Sequence, residues 1–405
     1  MSILVTGADG YVGWPTALRI ADRTDDRVIL VDNFGRREWV TEVGSTSATP
    51  VQSMEERIDA AKSRLGLHNL SFVEGDLTEK AFVDELLAVH QPETVVHAAA
   101  QPSAPYSQIN GERANYTQHN NLQSTRNLLW GLEENDLTDT HFIETTTTGV
   151  YGAPEFPIPE GGATMENGGE RDEVPFPAMA GSWYHLTKSH DAANMRLAHK
   201  QFGIPISDVR TAIVYGTETE ETRASDTDLK TRFDFDYYFG TVSHRFAAQA
   251  VAGYPVTVYG KGEQRKPFIS LEDAVEGLAQ LALADHTERD DEFVVYNQVT
   301  RPISIVEVAN TIADVAAEFD YDVEVEHFEN PRDEDETHKM EMENGNYMDL
   351  IGEQAQSFED GVRDIFETLS QYEETISTHE DRFLPGVLEE RMEEEDEEEA
   401  VAELD

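Results

Sequence analysis

Tyr184 and Lys188 stand four positions apart in the run Tyr184-His185-Leu186-Thr187-Lys188, near the start of a stretch with helical character. On a helix, residues i and i+4 share a face. An ammonium held beside a phenol lowers the phenol's pKa and makes the phenolate a usable base near neutral pH. Alone, such a pair is an ordinary helix surface. Thr147, four residues before Tyr151, supplies a third member, because it ends an expected strand that brings its hydroxyl beside Tyr184. Asn121, in the long helix before, either anchors a water that relays protons to Lys188 or is a solvated helix asparagine.

A second constellation is suited to holding a ligand. Gly7-Ala8-Asp9-Gly10-Tyr11-Val12-Gly13 follows a short apolar run and opens a helix. Glycine lets the backbone approach a pyrophosphate, which sits at the positive end of the helix. Asp32 lies 19 residues beyond Gly13, at the end of the next apolar run. A carboxylate there accepts a hydrogen bond from the adenosine ribose and repels a 2′-phosphate, favouring NAD over NADP. Arg36 and Arg37 next to it keep NADP open. Asp76, after the third run, reaches an adenine or caps the helix that follows; both readings fit.

The elements that must position these groups alternate along the first two hundred residues. Ile3–Thr6, Arg27–Asp32, Leu70–Glu74, Thr94–His97, His141–Thr146 and Ile206–Thr211 read as strands. Tyr11–Arg23, Ser53–Leu65, Glu79–His90, Glu112–Glu134 and Gly181–Phe202 read as helices. This alternation predicts an α/β fold with a doubly wound parallel Rossmann sheet. Residues 1–215 are expected to form the dinucleotide-binding domain, with returning segments near 240–255 and 265–300. Residues 216–388, punctuated by Gly and Pro and carrying helices at Ser304–Phe319 and Ser357–Tyr372, are expected to form mainly a smaller substrate domain. From 389 to 405 the chain is an almost unbroken run of acids that cannot bury enough apolar surface to order itself.

Eighty-one acidic residues stand against 30 basic ones, only eight of them lysine, for a net charge of −51. Such self-repulsion loosens a compact chain at low salt and is screened within a few Å in molar salt. The composition resembles that of cytosolic proteins from extreme halophiles. A basic footprint for nucleic acid is missing. No cysteine is present, which excludes disulfides and thiolate chemistry. No run of about 18 apolar residues suggests a membrane span, and Met1–Gly7 carries no basic leader, so a cytoplasmic enzyme is expected. Asn115-Tyr116-Thr117 matches a glycosylation acceptor that such a chain never uses. His327 and His338 lie among carboxylates at a spacing that fits no common metal site, and no metal is expected.

With these pieces placed, the chain resembles the extended short-chain dehydrogenases/reductases that act on nucleotide sugars, and within them the UDP-sulfoquinovose synthase family. The matching stretches include Gly10-Tyr11-Val12-Gly13-Trp14, Asp32-Asn33 with Arg36-Arg37, Ser103-Ala104-Pro105-Tyr106-Ser107 and Tyr116-Thr117-Gln118-His119-Asn120-Asn121. Tyr184–Lys188 with His190-Asp191, Phe239-Gly240-Thr241, Val258–Gly262, Asn297-Gln298 and Asn330-Pro331-Arg332 continue the match in order. The resemblance implies that Tyr184 takes the C4-hydroxyl proton of UDP-glucose while a hydride passes to NAD. The C4 ketone then acidifies C5–H, the C6 hydroxyl leaves, sulfite adds at C6 and the hydride returns. It further implies Asn33, Arg36, Leu77 and Ala98 on the cofactor, and Gln101, Ser103, Tyr106, Thr211, Arg265, Lys266 and Arg332 on the sugar nucleotide. His185 is implied near the glucosyl C6. The two long helices 112–134 and 181–202 would form a homodimer interface.

Departures from the family pattern concentrate at the C5/C6 chemistry. The family shows Thr-Met-Gly-Glu-Tyr-Gly where this chain has Thr147-Thr148-Gly149-Val150-Tyr151-Gly152, so a valine stands in place of a glutamate. Pro102 replaces an arginine, Thr211 a glutamine, and Gln264-Arg265-Lys266 meets the family's Gln-Thr-Arg. His185 or Thr148 is left as acid or base. A UDP-hexose 4-epimerase needs only Thr147, Tyr184 and Lys188 and is the alternative. A 4,6-dehydratase fits less well, because its Asp-Glu pair is Thr148-Gly149 here. A non-catalytic dinucleotide sensor would have no need to keep the Tyr/Lys pair.

Overall fold

The computed structural model describes residues 2–176, 179–225, 227–284, 293–329 and 339–385. Seven parallel strands form the central sheet: β1 (Ser2–Thr6), β2 (Arg27–Asp32), β3 (Leu70–Glu74), β4 (Thr94–His97), β5 (His141–Thr147), β6 (Ile206–Thr211) and β7 (Phe293–Gln298). Their spatial order is β7-β6-β5-β4-β1-β2-β3. The chain winds outward both ways from β1 and β4, so a crevice opens at their carboxyl ends, where this fold places its ligands. Strands buried on both faces read as nearly continuous apolar runs, and all five residues of β1 are buried. Ile3 and Val5 face one layer with Val28, Leu30, Ile143 and Val209. Leu4 faces the other with Ile29, Val95, Phe142 and Ile206.

The first layer is closed by helices α1 (Gly13–Arg23) and α5 (Leu271–Leu283), which contribute Trp14, Leu18, Leu278 and Leu281. The second is closed by Lys80–His90 and by the long helices α2 (Gly111–Glu134) and α3 (Trp183–Phe202). A separate apolar cluster holds the smaller domain together. It joins α4 (Val242–Ala252), α6 (Ile305–Glu318) and α7 (Phe358–Leu369) to the short strands Val256–Tyr259 and Arg265–Ser270.

The expected return of residues 240–255 to the nucleotide-binding layers does not occur. Phe246, Ala247, Ala250 and Val251 of α4 pack in the smaller domain's core. Residues 271–283 and 293–298 do return, as α5 and the edge strand β7. The expected helix 53–65 is α-helical only over Met54–Ala60, with a capping box at Ser53 and Glu56, and widens to a π turn over Ala61–Leu65. An antiparallel hairpin, Gly162–Asn167 with Glu170–Pro175, lies between β5 and α3. Its turn glycines 168 and 169 both take positive φ, as a two-residue hairpin turn requires. Among the described residues no helix is long and apolar enough to cross a membrane. The acidic tail 389–405 lies outside them.

Candidate active site

A cavity of about 520 Å³ opens over the carboxyl ends of β1, β4 and β5 and is closed from above by residues of the smaller domain. Its floor at one end is the glycine turn. Gly7 has φ +72°, and a Cβ there would lie 2.7 Å from the Ala98 carbonyl. A Cβ on Gly13 would lie 2.1 Å from the Gly7 oxygen. Only glycine allows α1 to start this close to the strand ends. Val12 gives α1 no side-chain cap. Trp14 N–H donates to the Gly10 carbonyl and Pro15 has no N–H, so within the first turn of α1 the Gly13 N–H is the donor left for a diphosphate. Tyr11 Oη donates to the Gly216 carbonyl at 2.6 Å, tying this turn to the smaller domain.

Asp32 lines the cavity together with Asn33, Arg36, Asp76, Leu77 and Ala98. Its Oδ2 accepts from the Asp9 N–H at 2.8 Å and its Oδ1 from the Phe34 N–H at 2.7 Å. Burial pushes the Asp32 carboxyl up to about 6, against these hydrogen bonds. A carboxylate offers about four lone-pair sites, so acceptor capacity remains for a ribose hydroxyl. Asp76 Oδ1 accepts from the Thr78 N–H at 2.8 Å in a local turn and lines the cavity; it does not cap the following helix, which starts after Glu79 without a side-chain cap.

Asp9 does not line the cavity. It is buried below the turn and held by Arg37 and Arg57, at 2.6 and 3.1 Å. Arg36 is likewise engaged, with Asp234 at 2.7 Å and its guanidinium 4.2 Å above the Phe239 ring. Both arginines of the 36–37 pair are thus ion-paired to carboxylates of the protein. The insert after β2 explains Asp234's position. Ala48 N–H donates to the Phe233 carbonyl at 2.9 Å and Thr49 Oγ1 to the Thr231 carbonyl at 2.8 Å, which carries residues 231–234 across to the cofactor end.

At the other end the cavity is walled by Thr147, Tyr184, His185 and Lys188. Ser182 caps α3 by accepting from the His185 N–H at 3.1 Å, and Ser107 Oγ accepts from the Tyr184 N–H at 3.2 Å. The helix start is thus fixed from two loops. Thr147 Oγ1 accepts from the Gly149 N–H at 3.1 Å, and its hydroxyl is among the groups that pull the Tyr184 pKa down. The expected activation of Tyr184 is only partly realised. Burial raises the phenol's pKa and Lys188 lowers it, but Asp191 and Glu144 raise it again, and the balance is upward. Lys188 Nζ donates to Glu144 Oε1 at 3.0 Å, inside the protein. The His185 ring fills the space over Gly149, where a Cβ would come within 2.4 Å of it.

Several expected residues lie elsewhere. Asn121 has no amide group left for a water relay. Its Oδ1 accepts from the Gln101 N–H at 2.8 Å, and its Nδ2 donates to the Gln101 carbonyl at 3.1 Å and to Thr187 Oγ1 at 3.0 Å. It clamps α2 to the loop after β4 and to α3. Gln101 is buried against Thr117, and Tyr106 is buried with its hydroxyl on Glu42. Neither lines the cavity, whereas Ser103, Thr211 and Lys266 do. Arg265 turns away, to the Pro302 carbonyl at 2.8 Å and Glu307 at 3.5 Å. Arg332 and His338 lie outside the described residues. His327 bonds the Gly260 carbonyl, and no group of three potential metal ligands occurs among the described residues. Val150 packs with Tyr151, Ile158, Phe176 and Met340 in a small apolar cluster, away from the cavity.

The reading from sequence missed the wall supplied by the smaller domain. Asp234, Tyr237, Tyr238, His244, Arg245 and Tyr259 all line the cavity. From that wall, Phe239-Gly240-Thr241, Tyr259 and Lys266 carried a sequence signal, and Asp234, Tyr237, Tyr238, His244 and Arg245 did not.

Comparison with known proteins places this geometry. The NAD dependent epimerase/dehydratase family matches residues 3–297. UDP-sulfoquinovose synthase of Sulfolobus acidocaldarius is 40% identical over 340 residues, 84% of each chain. The chloroplastic UDP-sulfoquinovose synthase of Spinacia oleracea is 38% identical over 83% of this chain and 68% of its own. The solved structure of UDP-glucuronic acid 4-epimerase from Bacillus cereus, in complex with UDP-glucuronic acid and NAD, shares the fold. It superposes with a TM-score of 0.67 at 20% identity, over 92% of this chain and 99% of that one. The chain belongs to the NAD dependent epimerase/dehydratase family.

Proposed function

We propose that the chain makes UDP-sulfoquinovose from UDP-glucose and sulfite, releasing water. The observation that carries this is that Thr147, Tyr184 and Lys188 line the same cavity as the glycine turn, in a chain 40% identical to such a synthase. NAD, when bound, takes the C4 hydride and later returns it. Thr147 orients the Tyr184 phenol, which accepts the C4-hydroxyl proton. Lys188 keeps positive charge beneath that phenol. Gly7, Gly10, Tyr11, Gly13, Asp32, Asn33, Arg36, Asp76, Leu77 and Ala98 are the cofactor's surroundings, with Asp9 and Asn121 supporting them from behind. Ser103, Thr211, Lys266 and Arg245 surround the sugar nucleotide, and His185 is the imidazole available at C5 and C6. With Val150 turned into an apolar cluster, no carboxylate is assigned to that step.

That same feature favours a second reading, a UDP-hexose 4-epimerase, which needs only Thr147, Tyr184 and Lys188. Purified protein is incubated in molar KCl with UDP-glucose, with and without sulfite, and read by mass spectrometry and proton NMR. A product carrying a sulfonate in place of a hydroxyl, formed only with sulfite and lost in Tyr184→Phe, is expected. UDP-galactose formed regardless of sulfite would overturn the synthase in favour of the epimerase.

We also infer a homodimer through α2 and α3, which leave Trp130, Trp183 and Leu197 about half exposed. Sedimentation should give twice the chain mass, halved by Trp130→Asp with Leu197→Asp; a monomeric wild type would refute it. The acid excess is read as adaptation to high salt.

A further inference from the structure

Beneath the catalytic wall, on the side away from the cavity, the buried charges do not balance. Lys188 Nζ lies 3.0 Å from Glu144 Oε1 and 3.9 Å from Asp191 Oδ2. Both carboxyl side chains are 0% exposed and the lysine is 2% exposed. Glu144 lies three residues before Thr147 on β5, and Asp191 three residues beyond Lys188 on α3. Glu144 Oε2 and both Asp191 oxygens accept no hydrogen bond. Two acids therefore face one ammonium with three acceptor oxygens unsatisfied.

Among the described residues the neighbours supply no second cation. His97 on β4 shares a hydrogen bond with Thr6 Oγ1 at 2.7 Å and meets Thr125 Oγ1 of α2 at 3.3 Å. Burial first, and then the charge on Lys188, hold His97 neutral. Asp208 on β6 is matched by Arg210 at 3.0 Å. Tyr184 stands above as a neutral phenol. A buried carboxylate without a donor or a counter-charge is expensive, and two carboxylates at one site do not both ionise readily. Glu144 and Asp191 are placed to hydrogen-bond each other once one of them carries a proton. That single proton satisfies two of the three orphan oxygens and brings the cluster to neutrality.

We propose that Glu144 and Asp191 share one proton as a carboxyl–carboxylate pair, and that this pair positions Lys188 and sets the pH at which Tyr184 becomes a base. The second half rests on the reading of Tyr184 as the proton acceptor at C4. The pair and the lysine titrate as a unit. While the proton is held, the ammonium and the pair cancel. As pH rises and the proton leaves, a net negative charge develops below the phenol and opposes its ionisation. Burial is the largest cause raising both carboxyls, and each acid also raises Tyr184 against the lowering effect of Lys188.

Two measurements on the NAD-bound enzyme test this. Infrared spectroscopy near neutral pH should show a protonated carboxyl that disappears in Glu144→Gln and in Asp191→Asn. It should persist in Tyr184→Phe, so failure of the C4 chemistry is read separately from failure of the pair. The second measurement follows the pH dependence of cofactor reduction on mixing with UDP-glucose. In either single variant the opposing charge can no longer develop, and the ascending limb should move down by on the order of one pH unit. A purely structural role would leave that limb in place. Absence of the carboxyl band from the wild type, or single-variant pH profiles that superimpose on the wild type, would overturn the proposal.

Discussion

The two ends of the cavity handle buried charge in opposite ways. Around the nucleotide end, two buried acids are matched by guanidiniums, while Asp32, held by backbone N–H groups alone, is pushed up to about 6 by burial. Asp9 is held by Arg37 and Arg57, and Asp234 by Arg36 and Arg232. Burial pushes the Asp234 carboxyl up, and the two arginines more than reverse this, bringing it to about 2. At the catalytic end, two buried acids share one ammonium. The arrangement at Asp234 keeps its carboxylate ionised and suits holding a cofactor through a whole reaction cycle. The second holds both carboxyls above their usual range, next to the phenol proposed to move a proton. The same chemical groups become a fixed mount or a titrating device according to how many cations the chain places among them.

The sharpest test of the contrast removes one acid from each end. Asp9→Ala leaves the Arg57 guanidinium, 0% exposed, without its carboxylate. Breaking a buried pair in this way costs about 3–5 kcal/mol, read as the shift in urea unfolding. Glu144→Gln removes an acid from a pair that already holds a proton, so its loss should be smaller, under about 1.5 kcal/mol. A larger loss at position 144 than at position 9 would break the comparison.

What the sequence conveys follows the same division. Six of the seven strands of the central sheet were readable to within a residue, five of them because most of their residues are buried and read as apolar runs, while the edge strand β7 was not read as a strand. Nor was the hairpin 162–175 read, since its strands are almost wholly exposed and show no apolar alternation. Its only sequence mark is the Gly168-Gly169 turn. Tyr184 and Lys188 were legible because they are local, four apart on one helix. Glu144 was not, because a glutamate before four threonines looks like strand surface until β5 is set beneath α3. Arg57 reaches Asp9 across 48 residues, and Asp234 reaches Arg36 across 198. Spacing carries no trace of such partners. Arg265 shows the reverse case: the neighbouring Lys266, one position on along the strand, faces the cavity instead, and adjacent strand residues point to opposite sides.

A smaller effect separates these buried charges from those on the surface. The net charge of −51 is spread along the whole chain, and its repulsion is screened once the Debye length falls to about 3 Å near 1 M salt. The urea midpoint of the wild type should therefore rise with KCl up to molar concentration. Screening by mobile ions requires solvent between the charges, and Asp9 and Arg57 are 1% and 0% exposed. The loss caused by Asp9→Ala should then be the same at low and at molar KCl, within about 0.5 kcal/mol. A midpoint that ignores salt would remove the adaptive reading of the acidic surface. A loss that shrinks as salt is added would mean that ions reach the Asp9 pair, and the nucleotide end would no longer count as a fixed, solvent-free mount.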